Sequence, residues 1–108
     1  MAASLTEEEF SKHVNTIFNI NDDQSAVDLE LVQVKGYRKD PGDAGRMERF
    51  SLFFKGPGKP LLPQSTYSLS HEGMGTIDIF LVPIGLDGDG LRYEAVFNYF
   101  KKAEGSKQ

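Results

Sequence analysis

Between Arg49 and Phe100 the chain alternates apolar and polar residues in four successive runs, and this period-two pattern narrows the possible folds. The runs read FSLFFKGP, STYSLSHEG, TIDIFLVPIG and LRYEAVFNYF, with turns rich in glycine and proline between them. Alternation with period two is typical of half-buried β-strands, and short connections of this kind favour hairpins. The pattern therefore predicts an antiparallel β domain.

Two further strands precede these four runs. A short extended segment is predicted at residues 16–20, and alternation resumes at Val27. At Val32 the apolar residues change parity, which predicts a β-bulge or a bend between two faces. We predict an all-β fold with one short N-terminal helix, as a small antiparallel barrel or two-sheet sandwich of about six strands. The single β domain is assigned to residues 1–100 and a polar tail to residues 101–108.

The one predicted helix begins after Thr6. Thr6 is a good N-cap, and Glu9 is placed to complete a capping box by bonding back to the Thr6 amide. Leu5 and Phe10 occupy the positions of a hydrophobic staple, and Asn15 is a suitable left-handed stop. Because so short a helix is unstable alone, we expect it to dock on the sheet.

Composition excludes several classes of function. The 108 residues carry a net charge of −4 and contain no cysteine, so disulfides and thiolate sites are impossible. An acidic domain lacks the positive field that attracts phosphate backbones, and we predict no nucleic-acid partner. We expect no signal peptide and no membrane partner, because the most apolar segment, at residues 79–84, is short. These features predict a cytoplasmic protein.

His71 and Glu72 form the pair that most resembles catalytic chemistry. A hydrolase built on Ser70, His71 and Asp78 is the alternative, but adjacent strand residues point to opposite faces and no nucleophile elbow is present. No spacing typical of metal-binding histidines occurs. We predict that His71 is an ordinary strand-end residue and that the protein is not an enzyme.

Two glycine-rich segments resemble ligand loops only superficially. Asp87 to Gly90, followed by Glu94, lacks the run of ligands of a calcium loop and is predicted to be a hairpin turn. Gly56 to Pro60 lacks the order of a phosphate-binding loop, and its prolines remove amide donors. We therefore predict no cofactor.

Two groups of residues are candidates for an interaction surface. Arg38, Lys39, Arg46 and Arg49 cluster around one turn, where acidic neighbours compensate them or an anionic partner binds them. The last strand has apolar residues on both parities, so Val96 and Phe100 lie on the face opposite the core, either covered by the helix or tail or forming a patch for a protein partner or a homodimer.

Several phrases resemble an uncharacterised family of small bacterial all-β domains. These are LTEEEF with a downstream FNI, RFSLFFKGPGKPLLPQSTYSLSHEGMG, IFLVPIG and RYEAVFN, and together they cover the chain to Asn98. The resemblance implies a bacterial, non-secreted, single-domain protein without assigned activity. It also implies an association with phage-tail-like proteins, which favours a structural or assembly role. It supplies no catalytic residue for this chain.

These observations predict a non-catalytic protein-interaction or structural accessory domain. The alternative is a small-ligand-binding barrel that uses the barrel mouth, and a hydrolytic enzyme ranks third. A binding pocket, an exposed apolar patch and a cleft with clustered titratable groups distinguish the three.

Overall fold

The computed structural model describes residues 5–21, 26–37, 47–59, 61–88 and 90–100. One helix and six strands follow in the order α1 (Glu7–Ser11), β1 (Ile17–Asn21), β2 (Ala26–Gly36), β3 (Met47–Pro57), β4 (Ser65–His71), β5 (Gly75–Asp87) and β6 (Gly90–Phe100). The strands form a closed antiparallel barrel in the order β1-β2-β3-β6-β5-β4. The predicted all-β class is confirmed, and of the two predicted architectures the chain adopts the barrel. Within the described ranges no helix has the length and apolarity to cross a membrane.

Two bulges bend the sheet. The register shifts between Leu31 and Gln33 in β2, which confirms the bulge predicted from the parity change at Val32. A second shift lies between Pro83 and Gly85 in β5. A bulge accommodates a proline because the ladder is already interrupted there, and Gly85 has a φ of 135°. The strand therefore continues to Asp87 past the proline.

Aromatic rings fill the capped end of the barrel. Phe10 from α1 is fully buried and lies 5.8 Å from the Phe50 ring and 5.5 Å from the Phe97 ring. Phe50 and Phe97 are stacked at 4.8 Å, and Phe18 meets Phe54 edge-on at 5.5 Å. Aromatic ring pairs favour offset and tilted arrangements of this kind. The helix thus docks on the sheet, as expected, by inserting Phe10.

The ends of α1 follow the sequence prediction in part. Thr6 accepts a 3.1 Å hydrogen bond from the Glu9 amide, which confirms it as N-cap. The Glu9 carboxylate instead points to Lys12 at 3.4 Å and to His13 at 3.5 Å, so the reciprocal half of the capping box is replaced by these two contacts. Asn15 has a φ of 73°, the predicted left-handed conformation, after the helix has ended at Ser11.

Candidate functional site

The outward face of β3, β6 and β5 carries an unusual number of apolar side chains. Phe53 stands opposite Glu94 on β6, and Glu94 stands opposite Val82 on β5. Val96 is the next outward residue of β6, because alternate residues of a strand share a face. By the same rule Phe80 precedes Val82 on the outward side of β5. We call Phe53, Phe80, Val82, Glu94 and Val96 the outer patch.

The most exposed members of the outer patch are large and apolar. Val96 is 64% exposed and Phe80 is 48% exposed, while Phe53 and Val82 are half-buried. Single exposed apolar residues need no explanation, whereas a group of them on one face of a sheet is a candidate interaction surface. Glu94 is the charged member of this group, and it lies between two apolar neighbours.

Hydrogen bonds hold Glu94 in place. The Tyr37 hydroxyl donates to Ser51 Oγ over 2.7 Å, and Ser51 Oγ donates to Glu94 Oε2 over 2.9 Å. Ser51 is fully buried although it faces outward, because Tyr37 and Glu94 lie over it. The ammonium of Lys35 lies 5.9 Å from the centre of the Tyr37 ring, a cation–π contact. The patch therefore has a fixed polar centre.

The ladders on the two sides of β6 differ in length. On one side, β6 pairs with β3 along its whole length, from Gly90 opposite Pro57 to Phe100 opposite Met47. On the other side, its pairing with β5 begins at Asp87 and ends where Val82 meets Glu94. Within the described part of the chain, the segment from residue 95 to residue 100 therefore has one strand neighbour.

The predicted interaction residues are placed as follows. Arg49 lies in β3 opposite Asn98, so it shares the outward face with Val96, which is exposed. Phe100 ends β6, and its side chain lies outside the described residues. Three of the basic candidates also lie outside the described residues, namely Arg38, Lys39 and Arg46. The structure thus brings Arg49 and Val96 together on one face.

Sequence reasoning missed the exposed tip of the β5–β6 hairpin. Ile84 is 46% exposed and Leu86 is 78% exposed. Arg92 Nε donates a 2.8 Å hydrogen bond to Asp87 Oδ2 at this tip, and this bond lowers the pKa of Asp87, with a further contribution from nearby Lys55. The run TIDIFLVPIG predicts a strand that includes Ile84, but Leu86 lies beyond the run.

His71 links two segments of the fold through hydrogen bonds. Its Nδ1 accepts hydrogen bonds from the amides of Gly73 at 2.9 Å and Met74 at 3.1 Å. A nitrogen that accepts carries no proton, so the neutral ring is protonated on Nε2 and donates to Thr16 Oγ1 over 2.8 Å. The Thr16 hydroxyl donates in turn to the His13 carbonyl over 2.5 Å. These bonds join β4 to the segment that follows α1.

The surroundings of His71 favour its neutral form. Its ring lies 4.3 Å from the Phe18 ring and 4.6 Å from the His13 ring. Burial lowers the pKa of His71 from its ordinary value, the nearby His13 imidazole lowers it further, and Glu72 opposes both. His13 in turn contacts Glu9. The two histidines therefore form a packed pair at the base of a groove.

That groove has a volume of about 480 Å³. Its lining is His13, Thr16, Ile17, Asn19, His71, Glu72 and Gly73. Ile17 is 46% exposed and supplies the apolar side of the groove. The groove lies on the outside of the barrel, between β1 and the β4–β5 turn; ligand binding at the barrel mouth stays a prediction.

The residues considered for hydrolysis do not converge. Asp78 accepts a 2.7 Å hydrogen bond from Ser68, and Ser70 lies 3.4 Å from the Thr76 hydroxyl, while His71 bonds elsewhere. Among the residues that the structure describes, no group of three or more histidine or acidic side chains is arranged to hold a metal ion. The segment predicted as a hairpin turn does connect β5 to β6, and Gly88 has a φ of 67° there.

Comparison with known proteins identifies one family. The family model described as Domain of unknown function (DUF6916) matches residues 5–97. No curated protein and no solved structure matches the chain. The match includes α1, all of β1 to β5 and β6 as far as Phe97.

Proposed function

We propose that this chain, which belongs to the family Domain of unknown function (DUF6916), is a non-catalytic protein-interaction module that binds its partner through the outer patch. The observation that carries the proposal is the exposure of Val96 and Phe80 on one sheet face, around a Glu94 carboxylate that is already positioned. Interaction surfaces combine an apolar centre with a few oriented polar groups in this way. In the cell we place the module in the bacterial cytoplasm, as an accessory in the assembly of larger structures such as phage-tail-like particles.

The patch is built so that binding costs little conformational entropy. Strand residues have restricted side chains, and the Tyr37–Ser51–Glu94 bonds hold the polar centre before a partner arrives. Preorganisation of this kind contributes to affinity because less conformational freedom is lost on association. A partner that places an arginine, a lysine or an amide over Glu94 and apolar groups over Phe80 and Val96 fits this surface.

Affinity capture from an extract of the host tests the proposal. Immobilised wild-type chain is compared with Phe80→Lys and Val96→Lys, each of which places a charge in the patch, and with Ala26→Lys, an exposed control at the start of β2. We expect host proteins, quantified by mass spectrometry, that the wild type and Ala26→Lys retain and that both patch variants lose. Equal retention by all four chains would remove the proposal.

Small-ligand binding is the second candidate, and the groove beside His13 and His71 favours it. Its volume is in the range of ligand sites, and it combines imidazole, hydroxyl and carboxamide groups with the apolar side of Ile17. A thermal-shift screen with small polar metabolites tests it. A ligand that raises the melting temperature of the wild type, and not that of Ile17→Asp, would support this function.

A further inference from the structure

Among the residues that the structure describes, no strand pairs with the β5 side of β6 beyond Glu94. From Ala95 to Phe100 the strand has β3 on one side, and the ladder with β5 has already ended at Val82. Backbone amides and carbonyls on an unpaired edge are a template for pairing with a further strand. This edge is continuous with the outer patch, because Val96 belongs to both.

The chemistry of this edge permits pairing. Residues 95–100 read AVFNYF and contain no charge, no proline and no glycine. Edges that must stay unpaired are usually protected by lysine, proline or a bulge. The ladder between β3 and β6 runs without a register shift, and the two bulges of the sheet lie in other ladders, so none of these protections applies to residues 95–100.

From these observations we infer that the β6 edge pairs antiparallel with the same edge of a second copy of the chain, around a two-fold axis. The inference rests on the proposed function, because Val96 belongs to the outer patch, and it names a second copy of the chain as the partner at that end of the patch. Closed two-fold dimers use one surface patch twice, so a single self-complementary segment is sufficient.

Symmetry and the position of β5 select the register. A two-fold axis normal to the sheet keeps the outward faces of both copies on the same side. Such an axis passes midway between equivalent residues of the two strands, so one residue of β6 must stand opposite its own copy. If Phe97 were that residue, residue 100 of the second copy would stand opposite Glu94, a position that Val82 already occupies. Centring the pair on Asn98 avoids this collision and gives the longest pairing that remains within β6, residues 96–100. Asn98 then stands opposite Asn98 of the second copy, and Val96 stands opposite position 100.

Charge favours a second copy over an unrelated peptide. No charged residue lies in the paired segment, so the symmetric pair brings no like charges together. The carboxamide of Asn98 both donates and accepts hydrogen bonds, so two such groups are mutually compatible at the axis. This edge has no charged residue that would make it specific for an unrelated peptide. A second copy presents the same uncharged sequence, AVFNYF, with the spacing that the edge itself has.

Analytical ultracentrifugation of the full chain tests the dimer. We expect the wild type to shift from monomer to dimer with rising concentration. Val96→Lys should raise the dissociation constant by roughly tenfold or more, because charge on an edge strand opposes pairing. Ala26→Lys, which adds the same charge to an exposed position of β2, should leave the constant unchanged.

A disulfide tests the register. The chain has no cysteine, so Asn98→Cys introduces a single thiol. Directly opposite residues in an antiparallel pair have Cα atoms about 4.5–5.5 Å apart, within the range of a disulfide. Under mild oxidation we expect Asn98→Cys to form a covalent dimer at low protein concentration, and the control Ala26→Cys to remain monomeric.

The outcomes separate the inference from the proposed function. A concentration-dependent dimer that Val96→Lys weakens and Asn98→Cys traps supports both. A strict monomer at high concentration overturns the inference, as does a dimer that cross-links no faster at Asn98 than at Ala26. If host proteins are nevertheless lost from Phe80→Lys in the capture experiment, the proposed function stands with a different partner.

Discussion

Ser51 donates a 2.9 Å hydrogen bond to Glu94 across the β3–β6 ladder, and it is fully buried although it lies on the outward face of the barrel. A buried hydroxyl at such a position needs partners, and Tyr37 supplies the second one over 2.7 Å. The relationship gives the surface around Glu94 a defined geometry, which a loose apolar patch would lack. Substitution of Ser51 therefore tests the geometry of the outer patch.

Ser51→Ala is predicted to lower the free energy of unfolding by about 1–2 kcal/mol, because it removes both hydrogen bonds of the buried hydroxyl. Urea denaturation measures this. The matched control is Ser68→Ala, whose hydroxyl bonds Asp78 on an exposed surface and whose loss should change stability by less than about 0.5 kcal/mol. Equal effects of the two substitutions would contradict the role given to Ser51.

The stability of the domain is predicted to fall as the pH drops below the ordinary histidine value of 6.5. Burial and His13 lower the pKa of folded His71, so the unfolded chain binds more protons between that lowered pKa and 6.5. The contribution of neutral His71 to stability is therefore fully present above pH 6.5 and is lost as the pH falls towards the lowered pKa. Urea unfolding at pH values from about 5 to about 8, in steps of roughly half a unit, measures how the free energy of unfolding changes with pH.

The His71→Asn substitution serves as the control for this dependence. Asparagine keeps an acceptor near the position of Nδ1 for the amides of Gly73 and Met74 but does not titrate. The variant should be less stable at neutral pH, because the bond to Thr16 is lost, and its slope below pH 6.5 should be shallower than that of the wild type. An unchanged slope would assign the pH dependence to other groups.

Leu52→Asp is predicted to abolish folding. The Leu52 side chain is fully buried in the barrel, and an uncompensated carboxylate there costs more than the few kcal/mol by which small domains are stable. Circular dichroism should show loss of the β spectrum. Val96→Asp, on the exposed face, should keep it, and a folded Leu52→Asp variant would refute the assignment of the core.

Gly90→Ala is predicted to destabilise the domain by about 1–3 kcal/mol through overpacking. An added Cβ would lie 2.6 Å from the carbonyl oxygen of Gly56, a backbone atom in the facing strand that cannot move aside freely. Thermal unfolding measures the change. Ser65→Ala, an exposed substitution at the start of β4, should be nearly neutral, and equal melting temperatures for the two variants would contradict the close approach.

Period-two alternation was sufficient to predict the strands, since a strand with one buried face shows its orientation in every second residue. The N-cap at Thr6, the left-handed Asn15 and the bulge near Val32 were predictable because each depends on local residues. The continuation of β5 to Asp87 was not, since the bulge between Pro83 and Gly85 is defined only by the facing strand.

The candidate site was less predictable than the fold. Val96 could be assigned to the face opposite the core from parity alone, but its exposure, and the strands that share this face with it, depend on the order of the strands in the barrel. The bond between Thr16 and His71 joins residues 55 positions apart in the chain. No local pattern contains such a contact, so the role of His71 as a link between β4 and the end of α1 required the structure.

Amide hydrogen exchange tests most directly whether a partner strand pairs with the edge of β6. Exchange is followed in the isolated chain at low and at high protein concentration. We predict that amides between Ala95 and Phe100 become protected at high concentration, while those of β1, on the other side of the ring, do not change. Exchange in β6 that is independent of concentration, or protection that appears instead around His13 and Ile17, would contradict pairing at the β6 edge.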